Sequence, residues 1–229
     1  MAKKRSAKAK KETLDPEVKA DRVRTRKVVA KLKEIFPEAE CSLTFENPLQ
    51  LLIATILSAQ CTDERVNMVT AELFKVYKTA ENFADAPVED LEEMIHSTGF
   101  FRNKAKNIKA CCGKLVALYG GVVPESMDDL VALDGVGRKT ANVVMGNAFG
   151  IASGVVVDTH VGRISRRLAL TENQDPVKVE KDLGDRVAKK DWVMFSHLLI
   201  RHGRATCTAR SPDCPSCEIG KWCPSRDVA

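Results

Sequence analysis

Apolar residues recur along most of the chain at the three- and four-residue spacing that predicts amphipathic helices. In the clearest case, the N-cap and first-turn pair Asn47–Pro48 precedes a row at this spacing: Leu49, Leu52, Ile53, Ile56 and Leu57. Only residues 154–158, GVVVD, indicate extended chain, and they are too few to imply a sheet. The pattern therefore predicts an all-α fold.

Further helices are marked by cap residues, glycine stops or apolar composition. They are expected at residues 85–99, 103–118 before Gly120–Gly121, 126–133 with a capping box of Ser126 and Asp129, and 175 onwards after Asp175–Pro176. The segment 191–203, DWVMFSHLLIRHG, is apolar and is expected to be buried. No internal repeat is visible, so the chain is expected to form one helical protein and not an array.

Residues 133–144, LDGVGRKTANVV, predict a helix, a tight turn and a second helix. Gly135 and Gly137 allow backbone angles that are closed to other residues. They also leave the first N–H groups of the second helix uncovered, which creates a site suited to a phosphate. Such a helix-hairpin-helix would hold the DNA backbone without reading base sequence. The alternative is a glycine-rich turn with a packing role only.

Two basic residues, Arg138 and Lys139, follow the turn directly. A free lysine is protonated at pH 7, and making it neutral costs roughly 4.6 kcal/mol. A helix N-terminus, a neighbouring arginine and a partly dry pocket would all disfavour the ammonium form. Lys139 is therefore a candidate nucleophile, although a lysine that contacts phosphate would be equally at home here.

Asp158 follows the apolar run and precedes another predicted helix. It is a candidate N-cap, and it is also a candidate to take a proton from a lysine or to stabilise a developing cation. The two roles are compatible. His160 is interpreted as structural, and three arginines are interpreted as a solvated or phosphate-facing stripe: Arg163, Arg166 and Arg167.

The bulk composition is that of a globular protein with a mild basic excess. The 229 residues are 44% hydrophobic and 29% charged, with a net charge of +5, which permits a nucleic-acid partner without requiring one. Residues 1–18 form a lysine-rich tail, predicted to be disordered. Without a secretory signal or an apolar run of about 18 residues, a cytoplasmic or nucleoid-associated protein is expected.

Eight cysteines in a reducing compartment are better candidates for metal ligands or thiols than for disulfides. Four of them have the spacing C-x6-C-x2-C-x5-C: Cys207, Cys214, Cys217 and Cys223. Structural zinc usually uses two close pairs, so a single Cys-x-x-Cys fits an iron–sulfur centre better. The others are interpreted as small buried hydrophobic residues: Cys41, Cys61, Cys111 and Cys112.

These motifs, in this order, resemble the endonuclease III family, the iron–sulfur branch of the helix-hairpin-helix DNA glycosylases. The segments LLIATILSAQCTD and STGFFRNKAKNI add to a resemblance that covers roughly residues 20–225. It implies two helical lobes with a DNA cleft between them. A six-helix lobe at 41–152 ends in the hairpin, and residues 19–40 and 153–229 hold a [4Fe–4S] cluster on the four cysteines.

The resemblance also implies the activity. Members of this family excise oxidised pyrimidines such as thymine glycol from duplex DNA and then nick the strand at the abasic site, working as monomers. Lys139 matches the nucleophile and Asp158 the assisting carboxylate, while Gly135, Gly137 and Arg138 match the DNA-binding hairpin.

Two further DNA contacts follow from the resemblance. Gln60 matches a glutamine that fills the space of the flipped nucleotide, and Phe100 matches an apolar wedge in the opposite strand. The family commonly has an aliphatic residue at the position of Phe100, which leaves the opposite-base preference open. Phe101 is a candidate core residue.

Three other functions remain open at this point. A non-catalytic DNA-binding protein with a structural cluster would share the hairpin and the cysteines, but it would not need Lys139 and Asp158 together. The adenine-mismatch branch generally lacks the lysine and carries a large C-terminal extension. A redox sensor that signals through the cluster would use the same cysteines.

Overall fold

The computed structural model describes residues 15–226, and the all-α prediction is confirmed over that range. Most of the predicted basic tail, residues 1–14, lies outside the described residues. Eleven α-helices run through the described range: α1 Pro16–Ile35, α2 Pro48–Leu57, α3 Asp63–Val76, α4 Ala80–Asp85, α5 Val88–Ile95, α6 Phe101–Tyr119, α7 Met127–Val131, α8 Arg138–Ala148, α9 Thr159–Arg167, α10 Pro176–Arg186 and α11 Trp192–Ala205. Short 3₁₀ helices lie at His96–Thr98, Lys189–Asp191 and Gly220–Trp222.

The cap residues begin and end these helices as the sequence predicts. Asn47 and Asp175 accept N-cap hydrogen bonds at the starts of α2 and α10, and Gly120 ends α6 in the left-handed conformation with φ 58°. Two segments differ in detail. The helix expected at 85–99 is α5 followed by the 3₁₀ turn, and α7 ends at Val131, two residues before the expected end.

The first hydrophobic core lies within residues 43–145 and is formed by α2 to α8, one helix more than the six expected. Helix α2 runs through its centre, because every residue from 51 to 57 is buried. A short helix that is apolar all round can be accommodated only in such a position. The other helices pack an apolar face against it and leave a polar face in water.

The second core brings together distant parts of the chain. Val28, Val29 and Leu32 of α1 pack with apolar residues of α9, α10 and α11 and with Ile219. Helix α1 is also tied to α10 by a buried carboxylate, because Asp21 pairs with Arg24 at 2.6 Å and with Arg186 at 2.9 Å. The first and last parts of the described chain therefore fold as one unit.

Polar contacts join the helices of one core to those of the other. Arg204 of α11 pairs with Asp63 of α3 at 3.2 Å, and His197 of α11 lies 2.8 Å from the amide oxygen of Asn147 in α8. Gly146 of α8 lies so close to α11 that an added Cβ would come within 2.7 Å of Val193. Helix α8 therefore sits at the junction, with its N-terminus at the hairpin turn.

Candidate active site and cysteine pocket

The hairpin turn between α7 and α8 depends on one glycine for its backbone angle. Gly135 has φ +74°, and a Cβ there would lie 2.9 Å from Cβ of Asn107. Gly137 has φ −88° and ψ 172°, which any residue adopts, so the expectation of a special backbone angle is wrong for this second glycine. An added Cβ would meet nothing within 4 Å there. Gly137 leaves the start of α8 uncovered.

The N-terminus of α8 is open to a ligand. No side chain caps it. Val136, in the turn just before it, is buried in the first core and anchors the turn there. The uncapped N–H groups and the positive end of the helix dipole are the features that bind phosphate groups.

Lys139 lies in the first turn of α8 with its side chain exposed. Among the described residues, its amine forms no hydrogen bond and no ion pair within 4 Å, with Asp158 or with any other acid. The partly dry pocket expected around it is therefore not provided by this part of the protein alone. What the fold provides is an exposed amine beside an uncapped helix N-terminus.

Arg138 points away from Lys139 and towards the second core. Its guanidinium donates two hydrogen bonds of 2.9 Å to the carboxylate of Glu180 in α10, and these bonds raise the pKa of Arg138. Asn142 donates to the same carboxylate at 3.0 Å, and an added Cβ at Gly154 would collide with it. Sequence reasoning missed Glu180, since nothing in a helix 42 residues further along indicates this partner.

Asp158 is the N-cap of α9. One carboxylate oxygen accepts from the backbone N–H of Val161 at 2.8 Å, and the other lies 3.2 Å from Nδ1 of His160. The carboxylate is thus held at two points but keeps part of its surface accessible. His160 packs closely over Gly203 of α11, as its structural interpretation requires.

Gln60 and Phe100 share an uncommon backbone conformation. Their φ angles are +55° and +48°, and Ala169 is the only other non-glycine residue with positive φ in residues 15–226. Both side chains are exposed, and Phe100 is 70% accessible although it is a large aromatic ring. Strained backbone of this kind gathers at functional sites. Phe101, in contrast, packs against the first core and against His96.

The four C-terminal cysteines line one pocket together with apolar and polar residues of α9, α11 and the C-terminal loop: Ile164, Leu168, His202, Pro212 and Ile219 among them. All four are free thiols, and burial raises the pKa of Cys217 and of Cys223. Among the described residues, no three His, Cys, Asp or Glu side chains are close enough to hold a single metal ion. The cysteines therefore surround a space and do not converge on one point.

Arginine side chains support the cysteine pocket. Arg167 donates to Sγ of Cys207 at 3.1 Å and to the carbonyl oxygen of Thr208 at 2.8 Å, and Arg163 donates to the carbonyl of Cys207 at 2.9 Å. The interpretation of these two arginines as a solvated or phosphate-facing stripe is therefore wrong. Hydrogen bonds to sulfur are one way a protein tunes an iron–sulfur centre, so these contacts and the ring of thiols fit such a group.

The remaining cysteines differ from one another. Cys111 and Cys112 are fully buried in α6, where burial raises the pKa of Cys111 to about 12, and they behave as the expected small hydrophobic residues. Cys41 and Cys61 are only partly buried against the first core. No helix of the described range is both long and apolar enough to cross a membrane.

Known proteins resemble this chain in sequence and in fold. Residues 53–189 match the HhH-GPD superfamily of base excision DNA repair proteins. Endonuclease III of Synechocystis sp. is 52% identical over 206 residues, which are 90% of this chain and 94% of that protein. A non-covalent endonuclease III–DNA complex and a trapped endonuclease III–DNA covalent intermediate both superpose with a TM-score of 0.83 at 44% identity, over 90% of this chain and 96% of theirs.

Proposed function

The chain belongs to the endonuclease III family of the HhH-GPD base excision DNA repair proteins, and we propose on that premise how its own residues carry out the reaction. The protein is a DNA glycosylase and abasic-site lyase that removes oxidised pyrimidines, such as thymine glycol, from duplex DNA. The observation that carries the assignment of the nucleophile is the exposed, unpaired amine of Lys139 on the first turn of an uncapped helix.

The proposed chemistry needs an amine at this position. The damaged nucleotide leaves the base stack, and the neutral amine of Lys139 attacks C1′ of the sugar while the bond to the base breaks. The base departs with the bonding electrons and takes up a proton. The attached amine then loses a proton, and the C1′–O4′ bond of the sugar ring breaks as O4′ takes up a proton. The iminium that forms at C1′ acidifies the C2′ protons. Loss of one C2′ proton then expels the 3′ phosphate by β-elimination.

We assign Asp158 to the charge that develops at the sugar. The bonds from Val161 and His160 hold the carboxylate at the start of α9, so it need not reorganise when a cation forms. The same carboxylate is a candidate acceptor for the proton that the lysine loses. Its N-cap role and its proposed catalytic role thus use one fixed position.

The DNA is proposed to lie between the two lobes, residues 41–152 on one side and 19–40 with 153–229 on the other. The open N-terminus of α8, with Gly135 and Gly137 in the turn, grips the phosphates of the damaged strand. Gln60 fills the space that the extruded nucleotide leaves, and Phe100 wedges into the opposite strand. The exposure of both side chains supports these roles. Arg138 serves DNA binding through its bond to Glu180, which fixes the start of α8.

We further propose that Cys207, Cys214, Cys217 and Cys223 hold a [4Fe–4S] cluster. When bound, the cluster supplies a covalent cross-link of the C-terminal loop. The surrounding arginines would steady that loop and the thiolates. Action on chromosomal DNA places the protein in the cytoplasm at the nucleoid.

Borohydride trapping tests the proposal. The protein is mixed with duplexes that carry thymine glycol, an abasic site, adenine opposite 8-oxoguanine, or no lesion. We expect a covalent adduct with the thymine glycol and abasic duplexes that is absent in Lys139→Ala and retained in Lys27→Ala, whose lysine is exposed on α1. An adduct that persists in Lys139→Ala would exclude Lys139 as the nucleophile, and an adduct with the abasic duplex alone would restrict the activity to the lyase step.

A further inference from the structure

Lys104 is a buried lysine that the proposed reaction does not use. It lies on the first turns of α6, only 4% of its surface is accessible, and its amine donates to two backbone carbonyls at 2.8 Å, those of Leu57 and Thr98. A buried amine is costly unless it is hydrogen-bonded, so such a residue has to be explained by what it holds.

The two carbonyls lie at the starts of the two turns that carry the exposed, strained side chains. Leu57 is the last residue of α2, three positions before Gln60, and Thr98 lies two positions before Phe100. The backbone N–H of Lys104 also donates to the carbonyl of Phe100 itself at 3.1 Å. Lys104 therefore bonds both to the turn that carries Gln60 and to the turn that carries Phe100.

The carbonyl of Leu57 is a free acceptor because the last carbonyls of a helix have no partner within it. The loop after α2 turns back on itself through a bond from Cys61 to Ser58, and Gln60 takes its left-handed angle inside that turn. A fixed carbonyl at residue 57 thus fixes the base of the turn. On the other side, buried Thr98 fixes the base of the Gly99–Phe100 turn.

We propose that Lys104 is a positioning residue that sets the separation of Gln60 and Phe100, so that the two side chains enter the duplex together when the damaged nucleotide is extruded. The inference rests on the proposed function, since it assigns Lys104 to the extrusion step of that reaction. Lys104 touches neither the DNA nor the reacting atoms and acts only through the two loops.

Lys109 provides a matched control on the same helix. Its amine also donates to two backbone carbonyls, those of Ala84 at 2.5 Å and Ala86 at 2.6 Å, but these lie at the end of α4 and just after it, in a part of the chain that carries neither Gln60 nor Phe100. Lys104→Met and Lys109→Met each remove one two-carbonyl tie and keep the aliphatic stem. A purely structural effect would be shared by both variants.

The test compares two substrates under single-turnover conditions, well below the Tm of each variant. We expect Lys104→Met to slow base release from thymine glycol paired with adenine by about 10- to 100-fold, as misplacement by about 1 Å does. At a preformed abasic site there is no paired base to extrude. The rate of strand cleavage there should therefore fall in Lys104→Met by a factor at least about fivefold smaller than the factor for base release. Lys109→Met should show no such difference in rate loss between the two substrates, which is the split that the test measures. Equal losses on both substrates, or the same split in Lys109→Met, would overturn the proposal.

Two further measurements keep the proposal testable if Lys104→Met folds poorly. Lys104→Gln retains one amide donor and is expected to give a smaller split. In a Gln60→Ala, Phe100→Ala background, either change at Lys104 should add little, since the side chains through which it acts are gone. If a change at Lys104 slowed base release in that background as much as it does in the wild-type protein, Lys104 would not act through Gln60 and Phe100. Absence of base release in the wild-type protein would instead defeat the proposed function itself.

Discussion

The two hydrophobic cores are built by different means. The first is continuous in sequence and consists almost entirely of apolar side chains around α2. The second joins α1 to α9, α10 and α11 across more than a hundred residues. It also contains polar ties at the buried Asp21 and at the partly buried Arg163 and Arg167. Closing so large a loop costs additional chain entropy, which the polar ties help to offset.

The two cores carry different groups of candidate functional residues. The first core carries the hairpin and both exposed side chains, Gln60 and Phe100, on a body built from one continuous stretch of the chain. The second presents Asp158 and the cysteines and depends on the ends of the described chain meeting. Damage to one region should therefore be distinguishable from damage to the other, and hydrogen exchange resolved by helix is the measurement that distinguishes them.

The largest effect is expected from Cys217→Ala. With one of the four proposed ligands gone, most of the bound iron should be lost. Because metal binding contributes directly to folding, α9 and α11 should then exchange far faster while α2 to α6 stay protected. Iron and sulfide analysis together with exchange mapping tests this. Cys41→Ala, which removes a thiol packed against the first core, should retain its iron. Equal deprotection of both cores in Cys217→Ala would contradict the separation.

Next comes Leu52→Ala at the centre of the first core. The buried side chain leaves a cavity, and the free energy of unfolding should fall by about 3 kcal/mol. Urea titration measures the loss, and exchange should locate it in α2 to α8. Met68→Ala, at a side chain that is 64% accessible, should stay within about 0.5 kcal/mol of the wild type. If Leu52→Ala reduced exchange protection only in α1 and α10, the assignment of Leu52 to a separate first core would be wrong.

Asp21→Asn should have a smaller effect, and in the second core. It leaves Arg24 and Arg186 without their shared carboxylate, and since both arginines are partly accessible to water, the expected loss is about 2 kcal/mol. Exchange should rise in α1 and α10 first. Glu34→Gln, which breaks the exposed pair with Lys31 on the same helix, should cost about 0.5 kcal/mol or less.

The smallest effect concerns pH at the junction of the cores. Burial lowers the pKa of His197, and the charge of Arg201 adds to this while Glu40 opposes it. Between that lowered pKa and about 6.5 the unfolded chain holds more protons than the folded one, so stability falls as the pH drops from about 6.5. His197→Gln removes this titration and should flatten the curve of unfolding free energy against pH below 6.5. Identical curves for the two proteins would show that His197 does not contribute.

The sequence predicted the helices and the residues with reactive or charged side chains better than it predicted the residues to which those side chains are hydrogen-bonded. Capped helices such as α2 and α10 follow from local spacing, because their signals lie within a few residues of one another. The bonds from Arg138 to Glu180 and from Lys104 to Leu57 span 42 and 47 residues and have no local signature. The roles of Arg163 and Arg167 were misjudged for the same reason, since only the folded chain brings the cysteine loop against them.

The left-handed backbone at Phe100 bears on how this protein changes over generations. Glycine would adopt its φ of +48° without steric cost. Because this relief exceeds the larger chain entropy that glycine has in the unfolded state, Phe100→Gly should raise stability by up to about 1 kcal/mol. A lineage selected only for heat resistance would drift towards glycine here and lose the side chain that we propose as a wedge. A bulky residue persists at this position only while selection acts on the integrity of the genome.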